Sequence, residues 1–179
     1  TVVTTGENNC GQRDVGSWKN IMAVSAGWDY TVGLCSNGTV VATGKNDYGQ
    51  CDVSSWKGIV AVSAGRSHTV GLRSDGTVVA TGKNDYGECN IEDWKNIIAI
   101  SAGYYHTIGL LSNGTVVATG KNNYGECDVS NWKGIVAVSA GYSHTVGLLS
   151  DGTVAATGAN DYGQCDVSGW KDIVAIGCR

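Results

Sequence analysis

A period of 38 residues, kept without insertion or deletion, sets the terms for anything this chain can fold into. It places Trp18, Trp56, Trp94, Trp132 and Trp170 in one column. Two copies, 59–96 and 135–172, share 28 of their 38 residues, so the differences between copies carry most of the functional information. A fixed period of this size belongs to solenoids and propellers, in which a unit too small to bury both its faces stacks on its neighbours.

The unit reads as strands. IVAVSAG, HTVGLRS and TVVATGKN are rich in β-branched residues, separated by Gly or Asp-Gly, and alternate in TVVAT and HTVGL. No segment sustains apolar residues at helical spacing. Asp75-Gly76, with Asn37-Gly38, Asn113-Gly114 and Asp151-Gly152, predicts a type I′ hairpin turn, which needs positive φ at both central residues. GKNDYGEC then turns the chain toward a short fourth strand expected near Cys89 to Ile91. Three or four antiparallel strands per unit make one propeller blade, and the fold class is all-β.

The run VSAGxxHTVGLxSDGTVVATGxNxYGQC resembles the repeat of the regulator of chromosome condensation family in its bacterial form, over the whole chain. The pattern is met at Ala64, Gly65, His68, Leu72, Asp75, Gly76, Gly82, Asn84 and Gly87. Gln50 and Gln164 match its final Gln, whereas Glu88 and Glu126 depart from it. The resemblance implies a β-propeller, typically of about seven blades. Members do unrelated jobs, so the fold leaves function open.

The units divide one repeat domain, 1–179, into a partial blade at 1–20, blades at 21–58, 59–96, 97–134 and 135–172, and a closing strand at 173–179. Joining the two end fragments gives a unit about 11 residues short, lacking HTVGL and its hairpin. Three outcomes are open: a compromised closing blade from Thr1–Gly6 and Ile173–Ile176, an arc finished by a second chain, or a fragment of a longer array. An open arc exposes blade faces, so self-association is expected.

A net charge of −4 with evenly spread charges lacks the basic patch of a nucleic-acid binder. No apolar run reaches membrane-spanning length. No signal peptide stands at Thr1, although a mature secreted chain would look the same. Cys51, Cys89, Cys127 and Cys165 repeat at one position, and equivalent positions on adjacent blades are roughly 10 Å or more apart, beyond disulfide reach. Free thiols in every unit favour a reducing compartment, cytoplasmic over secreted. Cys10, Cys35 and Cys178 are off the pattern, and a Cys10–Cys178 bond between the end fragments is conceivable.

No catalytic constellation stands out. His68, His106 and His144 form a column in which Tyr30 takes the fourth place, so they read as structural hydrogen-bonding residues at a blade edge rather than a metal site or base. Ser63, Ser101 and Ser139 repeat as packing residues. GKNDYG lacks the spacing and following helix of a phosphate loop, and Asp47 with Asp52 falls short of a calcium pattern. No cofactor and no metal are expected. The Trp column is expected to plug the spaces between blades.

Variation between copies concentrates at Trp28-Asp29, Arg66-Ser67, Tyr104-Tyr105 and Tyr142-Ser143, in the turn between the first and second strands. In an antiparallel meander the first and third turns share a face. Lys45, Asp47, Lys83, Asp85, Lys121 and Asp161 therefore join Trp28, Asp29, Arg66, Tyr104, Tyr105 and Tyr142 there, all five large side chains being expected in solvent. Trp, Tyr and Arg dominate interface hot spots, and a charged rim around them is the usual anatomy. The first reading is a non-enzymatic module that grips one protein partner, as some members of the resembled family do, among them a bacterial β-lactamase inhibitor. Nucleotide exchange fits poorly, since no unit carries a wedge-like insertion. The alternative is a multivalent glycan binder, but such propellers repeat one pocket and these turns differ.

Overall fold

The computed structural model describes residues 1–178. Among them twelve strands form four three-stranded antiparallel sheets. The first sheet is β1 (Ile21–Ala26), β2 (Tyr30–Cys35) and β3 (Val40–Gly44), and the second is β4 (Ile59–Ala64), β5 (His68–Arg73) and β6 (Val78–Gly82). The third is β7 (Ile97–Ala102), β8 (His106–Leu111) and β9 (Val116–Gly120), and the fourth is β10 (Ile135–Ala140), β11 (His144–Leu149) and β12 (Val154–Gly158). Each first strand packs on the first strand of the next blade, so β1, β4, β7 and β10 lie side by side. The central strands are buried along almost their whole length, so the polar His68 and Thr69 of HTVGL are buried along with Val70 and Leu72.

Core therefore forms between blades. Tyr30, Val32, Leu34 and Val40 of the first blade meet Val53 and Trp56 of the connecting loop and Ile59 of the second blade. Trp56 packs against Gly71 of β5, where a Cβ would stand 2.7 Å from its ring, and Trp18, Trp94 and Trp132 repeat the contact on Gly33, Gly109 and Gly147. Trp56, Trp94 and Trp132 plug the spaces between blades as expected, whereas Trp18 covers the outer side of the first blade. Trp170 remains 49% exposed.

The fourth strand near Cys89–Ile91 does not form. Its backbone donors are spent locally: Cys89 N–H on Asn84 Oδ1 at 2.8 Å, Asn90 N–H on Gly87 O and Ile91 N–H on Cys89 O, both at 3.0 Å. Ile91 instead drops its side chain into the core. The hairpin turn also differs from the expected type. Gly76 has φ +79° while Asp75 keeps a negative φ, and the Gly76 N–H donates to Arg73 O at 3.0 Å. This is a type I turn followed by a left-handed glycine, with one more loop residue than a type I′ hairpin. Asp75 Oδ1 accepts from the Thr77 N–H at 2.9 Å, which explains why only Asp or Asn stands in that column.

Neither end segment, 1–20 or 173–178, contains a strand, so the expected closing strand and shared closing blade are absent among the described residues. Ile173–Cys178 lies on the fourth blade, with Ile173 N–H on Gly152 O at 3.0 Å and Cys178 N–H on Ser139 Oγ at 2.9 Å. Val2–Thr5 instead lines a groove with Val24 and Ala26 of β1, so the two ends serve different blades.

All the cysteines are free thiols, and the Cys10–Cys178 bond does not form: Cys178 is anchored to Ser139 while Cys10 faces solvent. Each repeated thiol points at the carbonyl six residues earlier, at 3.3 Å, as Cys89 does to Lys83 O. Burial pushes the thiol of Cys51 up to about 11 and those of Cys89 and Cys127 up to about 12, with nearby carboxylates adding to the shift. We expect an alkylating reagent at pH 8 to modify Cys10 in the native protein and spare Cys89 and Cys127 until denaturant is added, as peptide mass spectrometry would record. Rapid native labelling of Cys89 would contradict the fold at that loop.

Candidate functional site

The turns between first and second strands and the loops after third strands emerge at one end of every blade, pinned together by the backbone. Lys45 N–H donates to Asp29 O at 2.9 Å, Lys83 to Ser67 O at 2.8 Å, Lys121 to Tyr105 O at 2.9 Å and Ala159 to Ser143 O at 2.8 Å. Adjacent turns also touch. Tyr104 N–H donates to Gly141 O at 3.1 Å, and a Cβ on Gly65 would stand 2.5 Å from Gly103 O.

This crowding drives the side chains into one cluster. Tyr104 stands at its centre, with its ring 4.0 Å from that of Tyr142, 4.5 Å from Tyr105 and 5.7 Å from Trp28. The Arg66 guanidinium lies 4.4 Å over the Tyr104 ring and hydrogen-bonds the Tyr105 hydroxyl. Residues of all four blades thus meet, and Trp28 reaches a ring two blades away. Trp28 and Tyr142 are 65% and 55% exposed. Arg66, Tyr104 and Tyr105, expected in solvent, are instead half-buried against one another, and none is packed inside a blade. The reason is stacking: edge-to-face rings and a guanidinium over a ring stabilise one another by about 0.5–1.5 kcal/mol per pair.

Lys45 pairs with Asp47 at 3.5 Å and Lys83 with Asp85 at 3.0 Å around this centre, and Asp85 holds the Lys83 ammonium above its usual range. Asp29 is half-buried beside Trp28, and Asp161 is exposed on the fourth blade. In the third blade Asn123 stands where Asp47 and Asp85 stand, and Lys121 settles among the rings of Tyr124, Tyr105 and Tyr86, 5.4, 5.6 and 6.0 Å from their centres. The sequence reading passed over Tyr48, Tyr86, Tyr124 and Tyr162, which repeat identically and so read as scaffold. They are 50%, 48%, 55% and 94% exposed on this face. A large aromatic in an otherwise polar turn was the available signal.

Beneath the face lies a buried polar layer. Thr107 Oγ1 donates to Glu88 O at 2.7 Å and so accepts from His68 Nε2–H at 3.0 Å, and His106, Thr145 and Glu126 repeat the relay. Tyr30 fills the same place, its hydroxyl 3.2 Å from Thr69 Oγ1 while donating to His68 O at 2.5 Å. All three histidines stand on central strands rather than at a blade edge, and His68 and His106 bridge to the next blade as structural hydrogen-bonding residues. Burial, then the neighbouring His, lowers His68 and His106 to about 4. Glu88 and Glu126 accept the Tyr86 and Tyr124 N–H groups at 2.8 Å, as Gln50 does for Tyr48 at 3.0 Å. That shared acceptor accounts for the exchange of Gln and Glu in this column. Among the described residues no group of three or more His, Cys, Asp or Glu is placed to hold a metal ion.

The profile of the regulator of chromosome condensation (RCC1) repeat matches residues 22–50, 59–88, 97–126 and 135–164. A comparison with curated proteins found no match. Among solved structures, the ectodomain of the receptor kinase CR4 of Physcomitrella patens superposes with TM-score 0.72 at 22% identity, over 88% of this chain and 46% of that one. Prp20p of Saccharomyces cerevisiae, studied for its binding to Gsp1p and histones, gives 0.64 at 21% identity, over 79% and 44%. Human WBSCR16 gives 0.65 at 18% identity, over 80% and 50%. The chain spans half or less of the length of each of these structures.

Proposed function

The chain belongs to the regulator of chromosome condensation repeat family, and on that premise we propose that it is a non-catalytic module that binds one protein partner through the turn face. One observation carries the reading: the variable aromatic side chains of separate blades meet in a single cluster around Tyr104. A glycan-binding propeller would keep one like pocket per blade, whereas this cluster is asymmetric and suits one asymmetric surface. Protein binding by Prp20p, with Gsp1p and histones as its partners, supports the same use of the fold.

Aromatic anchors surrounded by a polar rim concentrate binding energy, so Tyr104→Ala or Trp28→Ala should each weaken partner binding by about 2 kcal/mol or more. The test is affinity capture with wild type and the Trp28→Ala, Tyr104→Ala double variant side by side. Asp75→Asn, on the opposite hairpins where Asn37 and Asn113 already stand, serves as the control that leaves capture unchanged. Identical captured proteins from wild type and the double variant would remove the face from consideration. Glycan-array binding that the double variant loses would move the reading to sugars.

A further inference from the structure

The repeat supplies its own template for a ligand. In the second blade Lys83 extends from the end of β6, pairs with Asp85 at 3.0 Å and lies 5.1 Å from the ring centre of Tyr48 on the preceding loop. In the third blade Lys121 occupies the same place among Tyr86, Tyr105 and Tyr124. One period later the lysine is replaced by Ala159, while Tyr124, Asp161 and Tyr162 remain. The backbone is unchanged, since Ala159 N–H donates to Ser143 O at 2.8 Å just as Lys83 N–H donates to Ser67 O. Beside Ala159 a cavity of about 370 Å³ is lined by Tyr124, Tyr142, Asp161 and Tyr162.

We infer that this cavity on the fourth blade is a receptor for a lysine side chain of the protein partner, its ammonium taking the position left by the missing lysine between Tyr124, Tyr162 and Asp161. The inference rests on the protein-binding reading of the turn face and adds the chemistry of one contact. Three features agree. Asp161 lacks the lysine two residues earlier that pairs with Asp47 and Asp85 in their units, so a cation from outside restores the charge pattern. Three phenol faces attract a cation, and the alkyl stem of a lysine covers their apolar surface. The site also adjoins the aromatic cluster, because Tyr142 belongs to both.

Titrating the full chain with Nα-acetyl-lysine methylamide, and following the tyrosine rings by carbon–proton NMR, tests the site without any macromolecular partner. Saturable shifts confined to Tyr124, Tyr142 and Tyr162 are expected, and the uncharged norleucine analogue should produce none. Asp161→Asn should weaken the probe about fivefold, the upper range for an exposed ion pair. Ala159→Lys, which restores the residue of the other three blades, should abolish the shifts by filling the site from within. Equal shifts with norleucine, shifts centred on other rings, or undiminished binding by Ala159→Lys would overturn the inference. Capture that depends on Trp28 and Tyr104 in a protein that gives no lysine shifts would overturn it too, leaving the partner-binding reading in place.

Discussion

Acidification from pH 7.5 to 4 is expected to remove about 6 kcal/mol of stability from the native array, at about 3 kcal/mol for each of two buried rings. His68 and His106 are 1% and 0% exposed, and each is lowered from 6.5 to about 4, chiefly by burial. In the unfolded chain both rings take a proton near their ordinary value, whereas the folded chain resists until about pH 4. Between those values the unfolded state binds more protons, so stability is intact above pH 6.5 and drains away as pH falls toward 4. A loss of this size is a large share of the 5–15 kcal/mol that typical domains possess. The geometry explains why neutrality matters: Nε2–H is already given to the next blade's threonine, so a second proton must go on Nδ1, which in His106 is buried without a hydrogen-bond partner. Urea midpoints measured at pH 7.5, 5.5 and 4.5 should fall steeply, and a His68→Gln, His106→Gln variant should flatten the dependence. A midpoint that stays constant over that range would contradict neutral, buried rings.

The repeat made the architecture legible before any coordinates. Its period fixed the unit, β-branched runs fixed the strands, and the variable dipeptides marked the face that gathers Trp28, Arg66, Tyr104 and Tyr142. What escaped were features in which a residue serves another part of the chain. Gly71 in the middle of a strand looks like a weak point, yet it makes room for Trp56 from a loop fifteen residues earlier. Cys89–Ile91 reads as a strand by composition, but the Asn84 side chain takes its backbone donor and turns it. Asp-Gly suggests a type I′ turn, although the Asp side chain caps Thr77 and leaves only the glycine left-handed. The column Asn20, Gly58, Asn96, Gly134 and Asp172 enters the left-handed region, the first four just before a blade's first strand, at φ between 56° and 69°. Its restriction to Gly, Asn and Asp was a readable signal. The vacancy at Ala159 was visible in the sequence as a substitution, but its meaning came from seeing what Lys83 and Lys121 touch.

Gly82→Ala should destabilise the array by about 4 kcal/mol, among the largest losses a single methyl group can cause. Gly82 closes β6 at φ +114°, outside even the left-handed region that Asn and Asp tolerate. Its added Cβ would stand 2.5 Å from Ser67 O and 2.6 Å from His68 Cα, both backbone atoms, so no side-chain rotation relieves the clash. Gly58→Asn is the matched contrast. Gly58 has φ +67°, its nearest neighbour to an added Cβ is Ser74 Oγ at 4.0 Å, and Asn already holds that column at Asn20 and Asn96. A change within about 0.5 kcal/mol is expected there. The two glycines differ in function as well. Ser67 O, which the Gly82 methyl would strike, accepts the Lys83 N–H that ties the loop to the Arg66 turn. Displacing it separates Lys83 from Arg66 and loosens the aromatic cluster, so on the proposed protein-binding reading any Gly82→Ala protein that still folds should capture less partner than wild type. Urea unfolding of the two variants, followed by capture with each, reads both effects. Equal stability of Gly82→Ala and wild type would mean that the tight approach of β6 to the β4–β5 turn is not what holds the face together.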